Sequence, residues 1–437
     1  MEKIVSLCKR RGFINQSSEI YGGFESCYDY GFLGVELKNN IKKEWWKNVV
    51  QMRDDVVGID SSILMSPKVW QASGHLTAGF ADPLVECKKC HRRFRKDHLK
   101  ENKCPDCSGE LTKERKFNLM MKTFVGSVED EAAVTYLRGE TCQGIYMNYE
   151  LIKDSMRLKI PFGIAQIGKA FRNEITTRYF IFKTREFEQM EMQFFIKPGE
   201  NKKWFDYWKK ERMNWYIDLG IDKKNLRFRE HEKDELAHYA KKAVDIEYKF
   251  PWGWDEIEGI HDRGDWDLSN HSKYSGKDLS YYDEEKKEKF IPHIIETSAG
   301  ADRNLLAFLI NAYEEVKGGR TKTTKAAKET EIILRFDKRL APIKVAVLPL
   351  VKNDSKLVKK AREVYDLVKP HFMSQYDKIG SIGRRYRRQD EIGTFFAVTV
   401  DFDSLKDEAI TIRDRDTMKQ ERIKIKELVN YLNKKLK

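Results

Sequence analysis

The chain has 437 residues, of which 41% are hydrophobic, so its length and composition argue against a disordered protein and allow roughly two to four domains. No run of about 18 uncharged apolar residues occurs, which argues against a membrane span. The formal net charge is +13, and residues 338–437 contribute +10 of it, with 24 Lys and Arg against 14 Asp and Glu. This uneven charge predicts a polyanionic partner at the C-terminal end, unless the surplus lysines only cover a solvated surface.

The first 60 residues predict one helix and contain no export signal. Apolar residues recur at helical spacing over residues 33–50, after the aromatic and glycine-rich segment YGGFESCYDYG. The start of the chain, MEKIVSLCKRRGF, lacks the apolar run of a signal peptide. We therefore expect a cytoplasmic protein whose seven cysteines are reduced thiols or metal ligands rather than disulfides.

A cysteine-bearing insert occupies residues 85–112. Cys87 and Cys90 form one C-x2-C pair, and Cys104 and Cys107 form a second pair after 13 intervening residues. Two such pairs can place four thiolates around one tetrahedral ion, so the spacing predicts a structural zinc site of the zinc-ribbon type. Four free thiols or a redox pair in a surface loop are the alternatives.

Residues 161–196 predict two β-strands around a turn, because apolar and polar residues alternate along them. The second strand divides its side chains between two faces, with Glu188, Met190, Met192 and Phe194 on one and Phe187, Gln189, Glu191 and Gln193 on the other. In the first half, Arg172 and Glu174 share a face. Such a charged face suits a substrate-binding wall, although a solvent-exposed hairpin with cross-strand ion pairs has the same pattern.

Residues 290–316 predict a strand that runs directly into a helix. Glu296 and Ser298 alternate on the strand and share a face, and Arg303 lies in the first helical turn. A cation at this position opposes the helix dipole, so it indicates a bound anion such as phosphate unless Asp302 compensates it. Glu256 is a further carboxylate that could hold Mg²⁺ at such a phosphate.

The pattern changes after residue 316. Residues 317–331 are rich in Gly, Thr and Lys without apolar periodicity and predict a linker. Residues 338–437 alternate strands with amphipathic helices and predict a small α/β domain whose terminal helix covers residues 420–436. Its RRYRRQ segment suits single-stranded RNA, although some of these arginines could instead pair with Asp390 and Glu391.

Together these segments resemble the class II aminoacyl-tRNA synthetases, and closely the glycyl-tRNA synthetases of the single-polypeptide, homodimeric type. The matching segments are ILMSPKVWQASGH, LRGETCQGIY, FRNEI, KTREFEQMEM, EIEGIHDRGDWDL, ETSAGADR, APIKVAVLPL, GSIGRRYRRQDEIGTFFAVTVDFD and TIRDRDTMKQER. The resemblance implies an α+β fold, with a class II antiparallel sheet flanked by helices in residues 1–330 and a C-terminal α/β anticodon-binding domain in residues 338–437.

The resemblance also implies the reaction. ATP activates glycine to glycyl-adenylate with release of pyrophosphate, and the glycyl group then moves to the 3′ end of tRNA(Gly). The carboxylate of glycine is the nucleophile, so the protein has to position two anions and neutralise charge on the α-phosphate, with Arg172 and Arg303 as catalytic residues and Mg²⁺ accompanying ATP. The implied ATP-binding residues are Arg172, Asn173, Glu174, Phe182, Lys183, Thr184, Arg185, Glu186, Phe187, Glu256, Ile257, Gly300, Ala301, Asp302 and Arg303.

Glycine has no side chain, so its site must recognise the ammonium group and the small size of the substrate. The residues implied by the resemblance are Arg95, Glu140, Phe187, Glu188, Gln189, Met190, Glu191, Glu296, Thr297, Ser298, Ala299 and Gly300. Five positions depart from the family pattern: Lys183 replaces an arginine and loses its bidentate fork, and prolines are replaced at Phe32, Gly139, Thr297 and Phe395. The alternatives are a synthetase for another small amino acid and a non-catalytic, nucleic-acid-binding relative that has lost the ATP site.

Overall fold

The computed structural model describes residues 1–77, 80–99, 101–176, 178–232, 235–237, 240–320 and 330–436. Residues 321–329 of the predicted linker lie outside the described residues. The helices are α1 Glu2–Arg11, α2 Phe32–Trp46, α3 Pro67–Ala72, α4 Cys142–Met147, α5 Tyr149–Met156, α6 Asn201–Asp218, α7 Trp266–Ser275, α8 Ala301–Ala312, α9 Ser355–Val368, α10 Ile382–Glu391, α11 Ser404–Asp407 and α12 Leu428–Leu436. Within this part of the chain, none of the helices combines the length and the apolar character needed to cross a bilayer.

The strands up to the sheet centre are β1 Ile14–Gln16, β2 Tyr28–Tyr30, β3 Val56–Gly58, β4 Ala81–Glu86, β5 Arg93–Arg95, β6 Arg115–Asn118, β7 Met121–Phe124, β8 Val134–Leu137, β9 Phe162–Phe171, β10 Glu186–Ile196, β11 Leu226–Glu230, β12 Lys242–Phe250 and β13 Gly253–Gly264. The later strands are β14 Tyr281–Asp283, β15 Glu288–Phe290, β16 His293–Gly300, β17 Tyr313–Val316, β18 Glu331–Leu334, β19 Val345–Pro349, β20 Ser374–Tyr376, β21 Phe396–Val400, β22 Ala409–Asp414 and β23 Gln420–Lys424. Helix α2 confirms the helix predicted over residues 33–50, and a π-helical turn, Lys47–Gln51, extends it.

A seven-stranded sheet forms the centre of the N-terminal part of the molecule. Its strand order is β11-β12-β13-β16-β10-β9-β3, and all neighbours are antiparallel except β3 and β9. On one face Met190, Met192 and Phe194 are fully buried in a core that also contains side chains of α2, α6 and α8. The other face carries the polar side chains of the candidate site. This arrangement confirms the predicted antiparallel sheet flanked by helices.

The two strands predicted in residues 161–196 are β9 and β10, which pair antiparallel with Glu191 opposite Gln166. The junction predicted in residues 290–316 is β16 followed at once by α8. The helix ends at Ala312, however, and Tyr313–Val316 forms strand β17. This segment pairs with β18, so its backbone groups are satisfied across strands rather than within a longer helix.

The C-terminal part is an α/β unit around a five-stranded sheet of order β20-β19-β21-β22-β23. Strands β20, β19 and β21 are parallel, and β22 and β23 are antiparallel to their neighbours. The prediction that one helix covers residues 420–436 is wrong, because residues 420–424 form the edge strand β23 and α12 starts only at Leu428. Pairing with β22 determines that residues 420–424 form a strand, since the apolar pattern of this segment fits both a helix and a strand.

Candidate active site

The polar face of the seven-stranded sheet borders a cavity of about 230 Å³. Both arginines predicted as catalytic line it, together with three of the four carboxylates predicted for glycine, namely Glu140, Glu191 and Glu296. The other lining residues are Glu174, Ile181, Phe182, Lys183, Thr184, Phe187, Gln189, His231, Asp245, Glu256, Gly259, His261, Ser298, Gly300 and Asp302. The fold thus brings segments separated by more than 100 residues to one small space.

A row of facing residues crosses the sheet beneath the cavity. Asp245 on β12 pairs with Gly259 on β13, Gly259 pairs with Ser298 on β16, and Ser298 pairs with Glu191 on β10. Residues directly opposite each other on antiparallel strands project to the same face. Because Gly259 has no side chain, the ring of His261 lies over it, and a Cβ at Gly259 would be only 2.6 Å from His261 Cε1.

Arg172 lies at one wall of the cavity as an available cation. Its Nε donates to the backbone oxygen of Gly139 at 3.0 Å, and its guanidinium lies 5.3 Å from the ring centre of Phe80 and 5.4 Å from that of Phe187. Within the described ranges no side chain accepts a hydrogen bond from its Nη groups. These groups can therefore donate to a bound anion.

Arg303 lies at the start of α8, above Phe182. Its guanidinium is 4.5 Å from the centre of that ring, and its Nη1 is 3.1 Å from Glu256 Oε2. Burial alone would raise the pKa of Glu256, but Arg303 and His261 outweigh burial and lower it. The cation and the carboxylate together form a second polar end of the cavity.

Asp302 does not neutralise Arg303, although the two are adjacent in sequence. The Asp302 carboxylate accepts hydrogen bonds from Lys38 Nζ at 2.7 Å, from the backbone nitrogen of Glu188 at 2.7 Å, and from the Tyr30 hydroxyl. The alternative explanation of Arg303 as a cation compensated by its neighbour therefore finds no support in the contacts of Asp302.

Glu296 is the most strongly held of the three carboxylates. Its Oε2 accepts from Arg263 Nη1 at 2.9 Å, and its Oε1 lies 2.8 Å from His261 Nδ1. Burial raises the pKa of Glu296, but Arg263 and His261 more than offset this and bring it to about 2. Glu296 is therefore ionised at neutral pH.

Glu140 and Glu191 differ in charge although they lie close together. His75 Nε2, at 3.3 Å, and Arg263 overcome burial and lower the pKa of Glu140 well below its ordinary value. For Glu191, burial and the two neighbouring carboxylates all raise the pKa well above its ordinary value. The group thus holds two ionised carboxylates and one protonated carboxyl, an arrangement that attracts a small cation.

Sequence reasoning missed four polar residues of this site, namely His231, Asp245, His261 and Arg263. Arg263 is buried and also makes two hydrogen bonds with Asp267, at 2.7 and 2.9 Å. The signal for two of them was present, because Gly259, His261 and Arg263 alternate along β13. The pairing of His231 with Asp245 has no such signal, because it joins a residue just after β11 to a residue on β12.

Several predicted residues do not line the cavity. For glycine these are Arg95, Glu188, Met190, Thr297 and Ala299, and for ATP they are Asn173, Arg185, Glu186, Ile257 and Ala301. The two-residue period of a strand turns Glu188 to the core side of β10, where Lys38 and Lys42 bind it at 3.0 and 2.9 Å. Met190 and Ala299 are buried in the same core.

Three basic residues near the site have protein partners. Arg95 pairs with Asp82 at 3.0 Å and with Asp97 at 2.7 Å. Arg185 donates to the backbone oxygen of Glu25 at 3.1 Å. Lys183, which departs from the family pattern, lies 3.0 Å from Glu174 Oε2 and so remains inside the cavity.

The four cysteines of the insert converge on one point. Sγ atoms of Cys87 and Cys107 are 3.5 Å apart, those of Cys90 and Cys104 are 3.6 Å apart, and all four lie within 4.8 Å of one another. A tetrahedral ion with bonds of about 2.3 Å to sulfur requires sulfur–sulfur distances of about 3.8 Å. The donor set therefore fits one tetrahedral metal ion.

The RRYRRQ segment lies on α10 and is more buried than an RNA-stacking surface requires. Arg385 is buried and donates to the backbone oxygen of Leu350 at 3.3 Å, and the Tyr386 hydroxyl bonds with Thr399. The Tyr386 ring is therefore half-buried within the C-terminal unit rather than presented as an open stacking surface. Nor do the acidic neighbours take the predicted partners, because Asp390 binds Arg413 at 2.9 Å and Glu391 binds Arg10 at 2.8 Å.

Comparison with known proteins agrees with this fold. Residues 126–312 match the model of the tRNA synthetase class II core domain (G, H, P, S and T), and residues 344–435 match that of the anticodon binding domain. The sheet, the cavity and these matches define a class II aminoacyl-tRNA synthetase.

Similarity over the whole length gives the particular family. A glycine–tRNA ligase of Treponema denticola is 56% identical over 100% of this chain and 97% of the relative. Relatives of the same name from Thermobifida fusca and Borrelia hermsii are 52% and 53% identical, over 100% and 99% of this chain and 98% and 96% of their own lengths. The chain belongs to the glycine–tRNA ligase family.

Proposed function

We propose that this protein is a glycine–tRNA ligase, which joins glycine to AMP at the expense of ATP and then transfers the glycyl group to the 3′ end of tRNA(Gly). The observation that carries the proposal is that Arg172 and the carboxylates Glu140, Glu191 and Glu296 line one cavity of about 230 Å³. A cation that can bind a phosphate lies close to acids that can bind an amine. This arrangement suits an aminoacyl-adenylate, the mixed anhydride of an amino acid and AMP.

In the first step the ionised carboxylate of glycine attacks the α-phosphate of ATP, and pyrophosphate leaves. The free Nη groups of Arg172 stabilise the charge that develops on the α-phosphate, and Phe187 beside it offers a ring for the adenine. Arg303 binds the outer phosphates, and the neighbouring Glu256 would hold the Mg²⁺ that ATP brings, which supplies further neutralising charge. Glu174, with Lys183 beside it, is the acceptor for the amino group of adenine.

The amine end of the cavity selects the amino acid. Glu140 and Glu296 are ionised and attract the ammonium group, while protonated Glu191 avoids a third, mutually repelling charge. Ser298 adds a hydroxyl to the same wall. A larger side chain would have to overpack this end, at a cost of about 1–3 kcal/mol, so size alone discriminates against alanine and serine.

We extend the proposal to the organisation of the protein. Residues 1–330 form the catalytic domain, which carries the insert at 85–112. The segment 317–331 at its end links it to residues 338–437, which bind the anticodon. The match to an anticodon binding domain and the +10 charge of residues 338–437 support tRNA as the partner. The close family similarity supports a homodimer of single polypeptides, and the cysteine geometry supports zinc in the insert. A cytoplasmic location stays a prediction from the sequence.

The test is pyrophosphate exchange into ATP with glycine, alanine and serine supplied separately. We expect exchange with glycine alone, because only glycine leaves the amine end unstrained. Exchange with alanine or serine but not glycine would reassign the substrate. No exchange with any amino acid, together with tight tRNA binding, would show a non-catalytic relative.

A further inference from the structure

His231 and Asp245 line the same cavity, yet the activation step described above uses neither. His231 follows strand β11 directly, and its backbone nitrogen donates to Ala243 of β12 at 3.1 Å, which fixes its position on the sheet. Its Nε2 is 2.7 Å from Asp245 Oδ2. Over the described ranges, His231 Nδ1 has no hydrogen-bond partner. One ring nitrogen is therefore bound to Asp245, and the other can accept a proton.

The pair lies beside the amine end of the cavity. Asp245 belongs to the row that passes over Gly259 to Ser298 and Glu191. The His231 ring is 6.5 Å, centre to centre, from the ring of His261, which in turn binds Glu296. The carbonyl carbon of a glycyl group is only two bonds from its nitrogen, so an ammonium held at Glu296 brings the carbonyl into the neighbourhood of His231.

We propose that His231 is the general base of the transfer step and that Asp245 is its positioning residue. The inference rests on the proposed function and adds a residue to its second half-reaction. Nε2–H of His231 donates to the Asp245 carboxylate, which fixes the tautomer whose Nδ1 carries the lone pair. The same logic orients the histidine of Asp–His pairs in other enzymes, with the two ring nitrogens exchanged.

In this step the terminal hydroxyl oxygen of tRNA attacks the carbonyl carbon of glycyl-adenylate, and its proton moves to His231 Nδ1. The new ester bond forms as the bond between the carbonyl carbon and the phosphate oxygen breaks, and AMP leaves as an anion that needs no proton. The imidazolium later releases its proton to water. One proton is therefore released for each glycyl group transferred.

His261 is not suited to this role, although it is nearer to the carboxylates. Its Nδ1 lies 2.8 Å from Glu296 Oε1, and this contact outweighs burial and raises the pKa of His261, so the ring is already engaged with the carboxylate that we assign to the ammonium group. The activation step also needs no base, because glycine enters with its carboxylate already ionised. His231 should consequently matter for transfer far more than for activation.

The experiment separates the two steps in the full-length protein. For His231→Ala and His231→Gln, we expect single-turnover transfer from preformed glycyl-adenylate to tRNA to fall by about 10²- to 10⁴-fold, the usual contribution of a general base. Pyrophosphate exchange with glycine should fall much less. Asp245→Asn should show the same split, and His293→Ala, whose ring binds Asn201 outside the cavity, is the matched histidine control.

Rescue by added imidazole distinguishes a chemical role of His231 from a purely structural one. Imidazole should restore part of the transfer rate of His231→Ala and none of the rate of Asp245→Asn, which still has its ring. Equal losses in exchange and transfer, or full transfer in both His231 variants, would overturn the proposal and leave the adenylate phosphate as proton acceptor. Failure of the wild-type protein to exchange with glycine would instead refute the proposed function.

Discussion

Arg263 Nη1 donates a 2.9 Å hydrogen bond to Glu296 Oε2, and both side chains are almost fully buried, at 1% and 4% exposure. The other edge of the same guanidinium binds Asp267 through two hydrogen bonds. Arg263 therefore pairs with two carboxylates away from water, one of them at the point where we place the substrate ammonium. A buried charge of this kind has a large cost if its partner is removed.

Replacing Arg263 with Gln should destabilise the protein by about 3–5 kcal/mol, because Asp267 and Glu296 would each remain buried without their cation. It should also raise the KM for glycine, since Glu296 would lose Arg263, the largest single influence that lowers its pKa, and keep only His261. Chemical unfolding and glycine-dependent exchange measure the two effects. The matched control is Arg227→Gln on β11, where the side chain is 48% exposed and pairs with Glu247, so a change of no more than about 1 kcal/mol is expected. Equal losses in both variants would contradict the assignment.

Replacing Arg172 with Ala should lower pyrophosphate exchange by roughly 10²- to 10³-fold, the typical effect of removing one donor to transition-state charge. Its stability should change little, because its guanidinium makes a single hydrogen bond to backbone and otherwise contacts rings. Arg178→Ala is the control, since Arg178 is exposed and stacks on Tyr179 outside the cavity. An Arg172→Ala protein with normal exchange would remove the α-phosphate role.

Metal analysis of the purified protein should find one zinc per chain, and Cys104→Ser should lose it. The three remaining thiolates cannot close a tetrahedral structural site, so the insert should unfold locally and become sensitive to protease. Cys27→Ser is the control, because Cys27 belongs to none of the metal-ligand groups found in the described part of the chain, so the zinc content should stay unchanged. A metal-free wild-type protein with an intact insert would show that the four thiols pack without an ion.

The pH dependence of stability should contain a contribution from Lys344, whose Nζ donates to the backbone oxygens of Lys338 and Arg339 at 2.9 and 2.7 Å. Burial lowers the pKa of Lys344 from 10.5 to about 8. Between about pH 8 and pH 10.5 the unfolded chain keeps the Lys344 proton that the folded protein has lost. The free energy of unfolding therefore rises with pH in this range, by at most about 1.4 kcal/mol per pH unit. The stability of wild type relative to Lys344→Gln should therefore increase from pH 8 to 10. Substitution of the exposed Lys352 by Gln should show no such trend.

Much of the fold follows from local patterns. The alternation in residues 186–196 predicts β10 and places Met190 and Glu191 on opposite faces, as found. That same alternation puts Glu188 on the Met190 side, so the pattern contradicts its inclusion in the glycine site. The segments 313–316 and 420–424 were predicted as helix because their own periodicity is short and ambiguous, and strand pairing with β18 and β22 decided them.

By itself the sequence determined the central strand pair, the strand-to-helix junction, the spacing of the cysteine pairs and the resemblance that points to arginines and acids at an ATP site. These features depend on neighbours in the chain, whose spacing is visible as residue type. Only the tertiary structure decided that His261 and Arg263 hold Glu296, and that His231 meets Asp245. Those contacts depend on the register between strands, which is set by packing of the whole sheet rather than by any one segment.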